Sequence, residues 1–228
     1  MRRLRLVAIA FAVLLVVGIV GGYVFLVIND RNAPPELTLD TSAPSHPGAL
    51  PDGRWEIRSS ESIVGFRAHE KYLRLPVPST VVGRTSVVHG TMTTRGGAIV
   101  ATRVIVDMRT LKTNDARRDR TLRSSLGPRW NEHPYGGFTL GSRPIELDRW
   151  TSGSVADFVA RGTLRLHGVG RRVEFPLQAQ VSGGRFQVVG RLRTKMTNFG
   201  FDPPSVVGIT TVRNAVTIEV KLTFVRGG

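Results

Sequence analysis

From Trp55 to the C-terminus, apolar residues return at every second position. The clearest run is 172–181, in which Val173, Phe175, Leu177, Ala179 and Val181 alternate with Arg172, Glu174, Pro176, Gln178 and Gln180. A period of two puts successive side chains on opposite faces of an extended chain, so this run predicts a strand with one dry face. Val216, Ile218, Val220, Leu222 and Phe224 repeat the pattern against Ala215, Thr217, Glu219, Lys221 and Thr223; Val104, Val106 and Met108, then Leu164 and Leu166, give shorter versions. Hairpin turns are expected at Arg95-Gly96-Gly97, Gly168-Val169-Gly170 and Ser182-Gly183-Gly184, and such short loops make neighbouring strands antiparallel. One segment breaks the period. Thr113-Asn114-Asp115 can cap a helix running from Ala116 to Leu126, with Leu122 and Leu126 four apart and Gly127-Pro128 as its stop. About eight strands, each with one apolar face, must close on themselves or pack as two sheets, and closure also removes exposed edges. The expected fold is therefore an all-β, antiparallel eight-stranded barrel with one short helix, just wide enough to enclose one slim ligand.

Upstream the pattern changes. Leu6 to Ile28 is a run of 23 residues without a charge, long enough to cross a hydrocarbon core of roughly 30 Å. It exceeds the apolar core of a cleavable signal peptide and lacks a small-x-small site after Gly22, so an uncleaved signal-anchor is the expectation. Arg2, Arg3 and Arg5 precede it, while Asp30 and Arg31 cancel behind it, which places the N-terminus in the cytoplasm and the rest of the chain outside. Pro34, Pro35, Pro44, Pro47 and Pro51 break any regular pattern in 29–53, which reads as an extended linker. The expected organisation is a stub and transmembrane helix over 1–28, a linker over 29–53 and a barrel domain over 54–228.

Composition narrows the chemistry. The 228 residues include no cysteine, which excludes disulfides, thiolate metal sites, cysteine nucleophiles and a lipidated N-terminal cysteine. Of 32 basic residues three precede the apolar run, and the other 29 against 17 acidic residues leave +12 downstream. Such a surface would attract anionic headgroups or other polyanions, or simply keep the domain soluble. Nucleic acid is not expected, because stacking platforms need exposed aromatics and the chain has three tryptophans and three tyrosines, with Trp55 expected in the core.

No catalytic or metal constellation stands out. The histidines His46, His69, His89, His133 and His167 are scattered, and H-E-x-x-H, G-x-S-x-G and P-loop patterns are absent from the sequence. His69 would hydrogen-bond a headgroup if it stood at the barrel mouth, or backbone if it merely ends a strand; His167 reads as a turn residue. Asp119, among Arg117, Arg118 and Arg120, is expected to form ion pairs on a solvated helix face.

Several blocks resemble one known family in order and spacing. Trp55-x-Ile57, Ser62-x-Val64-x-Phe66 and His69 look like a first strand, and Ser79-Thr80-Val81-Val82-Gly83-Arg84 with Gly90-Thr91 like a second hairpin. Val106-Asp107-Met108, Thr110-Leu111-x-Thr113-Asn114, Arg118-Asp119 and Leu122-Arg123 follow a strand-to-helix segment; His133-Pro134 with Phe138, Gly162-Thr163-Leu164-x-Leu166-His167-Gly168-Val169 and Asn198-Phe199-Gly200-Phe201 continue the series. Together they resemble the YceI-like family of polyisoprenoid-binding, lipocalin-like barrels over essentially all of 54–228. Departures fall in Pro128-Arg129-Trp130-Asn131-Glu132, Tyr135-Gly136-Gly137 and Asp202-Pro203-Pro204, loops that could line the mouth.

The resemblance implies a barrel that holds an isoprenoid lipid, a quinone or a polyprenyl phosphate, as its ligand without any cofactor; the signal-anchor read above adds the membrane tether, and inward stripes almost free of polar groups make an enzyme unexpected. The candidate binding residues are Val64, Phe66, His69, Val106, Met108, Leu164, Leu166, Phe175, Leu177, Ile218 and Val220. The competing reading is a barrel filled by its own side chains, working at the membrane surface through its basic exterior.

Overall fold

The computed structural model describes residues 14–18, 20–21, 33–40, 51–72, 78–124, 127–146, 155–206 and 210–227. Its strands are β1 (Gly53–Ile57), β2 (Ile63–Tyr72), β3 (Pro78–Thr85), β4 (Val88–Arg95), β5 (Ala98–Asp107), β6 (Tyr135–Leu140), β7 (Ile145–Glu146), β8 (Ala156–Leu166), β9 (Val169–Ser182), β10 (Arg185–Lys195), β11 (Ser205–Val206) and β12 (Thr210–Arg226). All pairings are antiparallel. The ring runs β1-β4-β5-β6-β8-β9-β10-β12 and closes where Trp55, Glu56 and Ile57 pair with Arg226, Val225 and Phe224. β1 and β2 lie end to end along β12, and β3 and β4 likewise flank them. The strand pieces thus occupy the eight positions of a closed barrel.

Two-residue turns with left-handed backbone join the long strands, at Gly96-Gly97, His167-Gly168 and Gly183-Gly184. The middle one falls a residue earlier than Gly168-Val169-Gly170 suggested: β8 and β9 pair as far as Leu166↔Val169, which forces His167 to φ +50°. At the lower end Trp55, Met92, Phe186 and Phe224 form a plug, and the Trp55 indole Nε1 donates to Thr94 Oγ1 at 3.0 Å.

At the upper end β2 and β3 extend beyond the ring, and the turn Met108–Thr110 with the helix Ala116–Arg123 fills the space between β3 and β5. Asp115 caps that helix by accepting from the Arg117 and Arg118 amides, and Leu122 points inward beside Leu111 and Trp130. Leu126, expected on the same helix, lies outside the described residues. Asp119 is not the ion-pairing residue its arginine neighbours implied; its Oδ1 accepts from the Thr113 amide and hydroxyl, both at 2.8 Å, closing the loop before the helix. Arg118 instead reaches buried Glu70 of β2, with Nε–Oε1 at 3.1 Å, and ties the helix to the barrel.

The segment read as a free linker is partly docked. Residues 33–40 cross the outside of β12, β10 and β9, with Leu37 and Leu39 buried against Val189 and Pro176 and with Glu36 paired to Arg191. Asp40 accepts from Lys221 Nζ at 2.6 Å and from Gln187 at 3.1 Å. Beneath this strap Glu219, an outward residue of β12, is fully buried; its carboxylate accepts from Arg67 Nε at 2.8 Å and Arg84 Nε at 2.7 Å. The same two guanidinium groups donate to the carbonyls of Pro34 and Pro35. Of the predicted transmembrane run, only 14–18, 20 and 21 are described, as helical and exposed, and among the described residues no helix is long and apolar enough to cross a membrane.

Two expectations follow. Glu219→Gln leaves both arginines without their counter-charge and lowers the unfolding free energy by about 3 kcal/mol, read from the urea midpoint. The Lys221 hydrogen bond, opposed by partial burial, holds the Asp40 carboxyl below its ordinary value. A depressed carboxylate pKa stabilises the docked strap at pH values above the unfolded pKa and is lost as pH falls through the folded one. Protection of the 36–40 amides, taken against the intrinsic exchange rate at each pH, should therefore fall on acidification into that range, and Asp40→Asn should give the low protection at neutral pH.

Candidate functional site

The inward stripes do not fill the barrel. An upper chamber lies under the helix, bounded by Val64, Phe66, Val106, Leu164, Leu166 and Ile218 from the strands, by Met108, Leu111, Leu122, Pro128 and Trp130 from the turn and helical side, and by Met196, Phe201 and Pro204 from the loop after β10. Its cavity volume is about 120 Å³. A lower chamber of about 80 Å³ lies among Ile99, Leu140, Phe158, Phe175, Leu177, Phe186, Val220 and Phe224. Val104 and Phe138 border both.

Phe138 stands between the two, edge to face with Phe175 at 6.4 Å and 82°. Its position depends on Gly162 of β8, where a Cβ would come within 2.5 Å of the Phe138 ring. Among the described residues, no charged side chain borders either chamber. The polar groups close by are neutral: Thr102 at the lower chamber and the Trp130 indole at the upper.

Of the candidates read from the sequence, Val64, Phe66, Val106, Met108, Leu164, Leu166 and Ile218 border the upper chamber and Phe175, Leu177 and Val220 the lower. His69 does not join them. Odd-numbered positions of β2 face away from the side that Val64 and Phe66 share, and His69 is exposed, its Nδ1 3.4 Å from Thr80 Oγ1. His167 lies against His133, with ring centroids 3.9 Å apart. Burial first, then the neighbouring His133, lowers the His167 pKa from its ordinary 6.5, so the ring is neutral at pH 7. Alternation missed Leu111, Trp130, Met196 and Phe201, which come from turns without a period. The available signal was that Pro128-Arg129-Trp130 and Asp202-Pro203-Pro204 sat in segments set apart as mouth loops, and Pro128, Trp130 and Pro204 do border the upper chamber.

Comparison with known proteins agrees with this architecture. A polyisoprenoid binding domain from Saccharophagus degradans, implicated in plant cell wall breakdown, superposes with a TM-score of 0.59 at 18% identity, covering 76% of this chain and 98% of that one. BcnA of Burkholderia cenocepacia superposes with a TM-score of 0.55 at 14% identity, covering 73% and 98%. No curated protein sequence matches the chain. At these identities the structures speak for the fold alone, and membership rests on sequence: the YceI-like domain model matches residues 55–224, from the buried Trp55 of the closing strand to the buried Phe224 it pairs beside. By that match over most of its length, the chain belongs to the YceI-like family.

Proposed function

We propose that this protein is an extracytoplasmic, membrane-anchored carrier or reservoir for a long isoprenoid lipid and that it does no chemistry on it. The observation that carries the reading is the pair of abutting chambers, bordered by apolar side chains and divided by one phenylalanine ring. Burial at about 25 cal/mol per Å² rewards a slim, branched hydrocarbon chain that can thread such a space without any ionic contact. The printed description of the Saccharophagus domain as polyisoprenoid binding supports the same ligand class. Quinones and polyprenyl phosphates both carry such a tail.

The strap supports the anchored arrangement. Pro34 and Pro35 dock beside Arg67 and Arg84, level with Thr217 and Glu219, and Asp40 docks nearer the plug, beside Lys221 and Gln187. The chain N-terminal to Pro34 thus leaves from the half of the barrel that holds the upper chamber. With the apolar run ending at Ile28, five residue steps to Ala33 reach at most about 18 Å. On this reading the barrel sits against its own bilayer, with the chamber end toward the lipid. The alternative, a filled barrel acting through its basic exterior, has less support, because the two chambers leave the barrel unfilled.

Organic extraction and mass spectrometry of the gently purified protein should yield a stoichiometric prenyl lipid. Gly136→Leu should cut the yield at least tenfold in a variant whose circular dichroism and melting are retained, because a side chain there enters the space beside Met108 and Leu166. An extract empty of lipid, and still empty after incubation with prenyl quinones and polyprenyl phosphates, would sink the proposal.

A further inference from the structure

Among the described residues, two buried side-chain polar atoms have no hydrogen-bond partner: Trp130 Nε1 and His167 Nε2. A buried N–H or ring nitrogen left unpaired is costly, and native structures seldom keep one without a use. Both rings pack edge-on against Phe201, Trp130 at 5.9 Å and 74° and His167 at 5.4 Å and 62°, and Phe201 borders the upper chamber. Trp130 borders it too and is only 4% exposed.

Backbone strain marks the same two places. Among the described residues the non-glycine positions with left-handed backbone are Arg129, φ +51°, and His167, φ +50°. One directly precedes Trp130 and the other is the orphaned histidine itself. The two-residue turn between β8 and β9 imposes the His167 value, and the Arg129 value persists because surrounding structure enforces it. Here the Leu122 carbonyl accepts the Trp130 amide at 3.1 Å, and the Arg129 carbonyl accepts the amides of Glu132 and His133 at 2.9 and 3.0 Å. The tryptophan is held rather than left to seek a partner elsewhere.

We infer that Trp130 and His167 form a head-group site at one end of the upper chamber, taking an uncharged oxygen-bearing end of the isoprenoid, a hydroxyl or a quinone carbonyl, in preference to a phosphate. This rests on the isoprenoid reading above. The Trp130 indole N–H donates to the ligand oxygen. A neutral imidazole keeps one ring nitrogen as an acceptor, and the buried, unpaired Nε2 presents that lone pair in the tautomer that carries its proton on Nδ1. That lone pair accepts from a ligand hydroxyl. A phosphate would find no cation among the described residues of the chamber lining, and its desolvation would go uncompensated there. The cation acting on His167 from nearby, Arg129, is largely exposed and pairs with Glu132 at 3.4 Å.

A matched set of probes on the full chain tests this: farnesene, farnesol, a triprenyl benzoquinone and farnesyl phosphate, titrated calorimetrically in micelles. The wild type should bind farnesol and the quinone at least fivefold tighter than farnesene, and farnesyl phosphate no tighter than farnesol. Trp130→Phe should bring both oxygen-bearing probes down to the farnesene level while farnesene stays within twofold. His167→Asn, which tolerates the left-handed turn, should weaken farnesol several-fold and spare the quinone. Preference for only one of farnesol and the quinone would support the site and name its source. Tighter binding of the phosphate, unchanged farnesol and quinone affinities in Trp130→Phe, or an equal loss of farnesene there, would overturn the site. Failure of all four probes on the wild type would instead remove the isoprenoid reading beneath it.

Discussion

A single carboxylate with no exposure ties the upper barrel together. Glu219 points outward from β12, yet it lies under the strap and between two arginines. In the register Glu219 faces Gly65 of β2, and Gly65 faces Arg84 of β3, so three strands meet in one row. Only an absent side chain in the middle lets the outer two touch: a Cβ at Gly65 would come within 2.3 Å of the Gly83 carbonyl and 2.8 Å of the Arg84 side chain. β3 pairs along its length with β2 and reaches Lys112 through one isolated bridge at Arg84. The Glu219–Arg84 contact therefore fixes a strand that the ring itself does not hold. With β3 fixed, the helix has a wall to close against, and the upper chamber has a roof.

Within that frame the interior is shaped by pairing large rings with missing side chains. Gly162 leaves room for Phe138, Gly83 for Phe66 and Gly190 for Leu177 and Phe175. A barrel of eight strands with a full side chain at every inward position would pack solid. Glycine opposite phenylalanine moves volume from one strand to the next and leaves a bent path. A hydrocarbon tail reaching past the upper chamber would have to turn the Phe138 ring, which its edge contact with Phe175 leaves able to pivot about χ1 and χ2.

Periodicity made the inward stripes, the closure and the core tryptophan readable, because a strand's two faces are set by counting. It said nothing about Trp130, Met196 and Phe201, whose directions follow from turns. His69 was misplaced for the opposite reason: its place in the first-strand block suggested the mouth, although parity with Phe66 already assigned it outward. Asp119 was misread because its three arginine neighbours were more conspicuous than the Thr113 hydroxyl that claims it. The strap was readable and missed. Glu36-Leu37-Thr38-Leu39-Asp40 alternates like the barrel strands, but the prolines on either side made the stretch look like tether. That omission also hid why Gln180, Gln187 and Glu219, polar and outward by count, are buried.

The strap changes what the positive charge means. An excess of arginine invites a reading as a polyanion surface, but Arg67 and Arg84 each satisfy a buried carboxylate on one side and a strap carbonyl on the other. A guanidinium suits that double duty because its fork presents donors in two directions, which a lysine ammonium does less rigidly. Buried glutamate, paired arginines and proline carbonyls then form one layered contact whose loss at any level uncovers the next. Proline contributes to it as well as interrupting the strand pattern: with no amide hydrogen to satisfy, Pro34 and Pro35 can cross a barrel wall offering only acceptors to the arginines below. The residues that made 33–40 look unstructured are the ones that suit it to lying flat against a closed sheet.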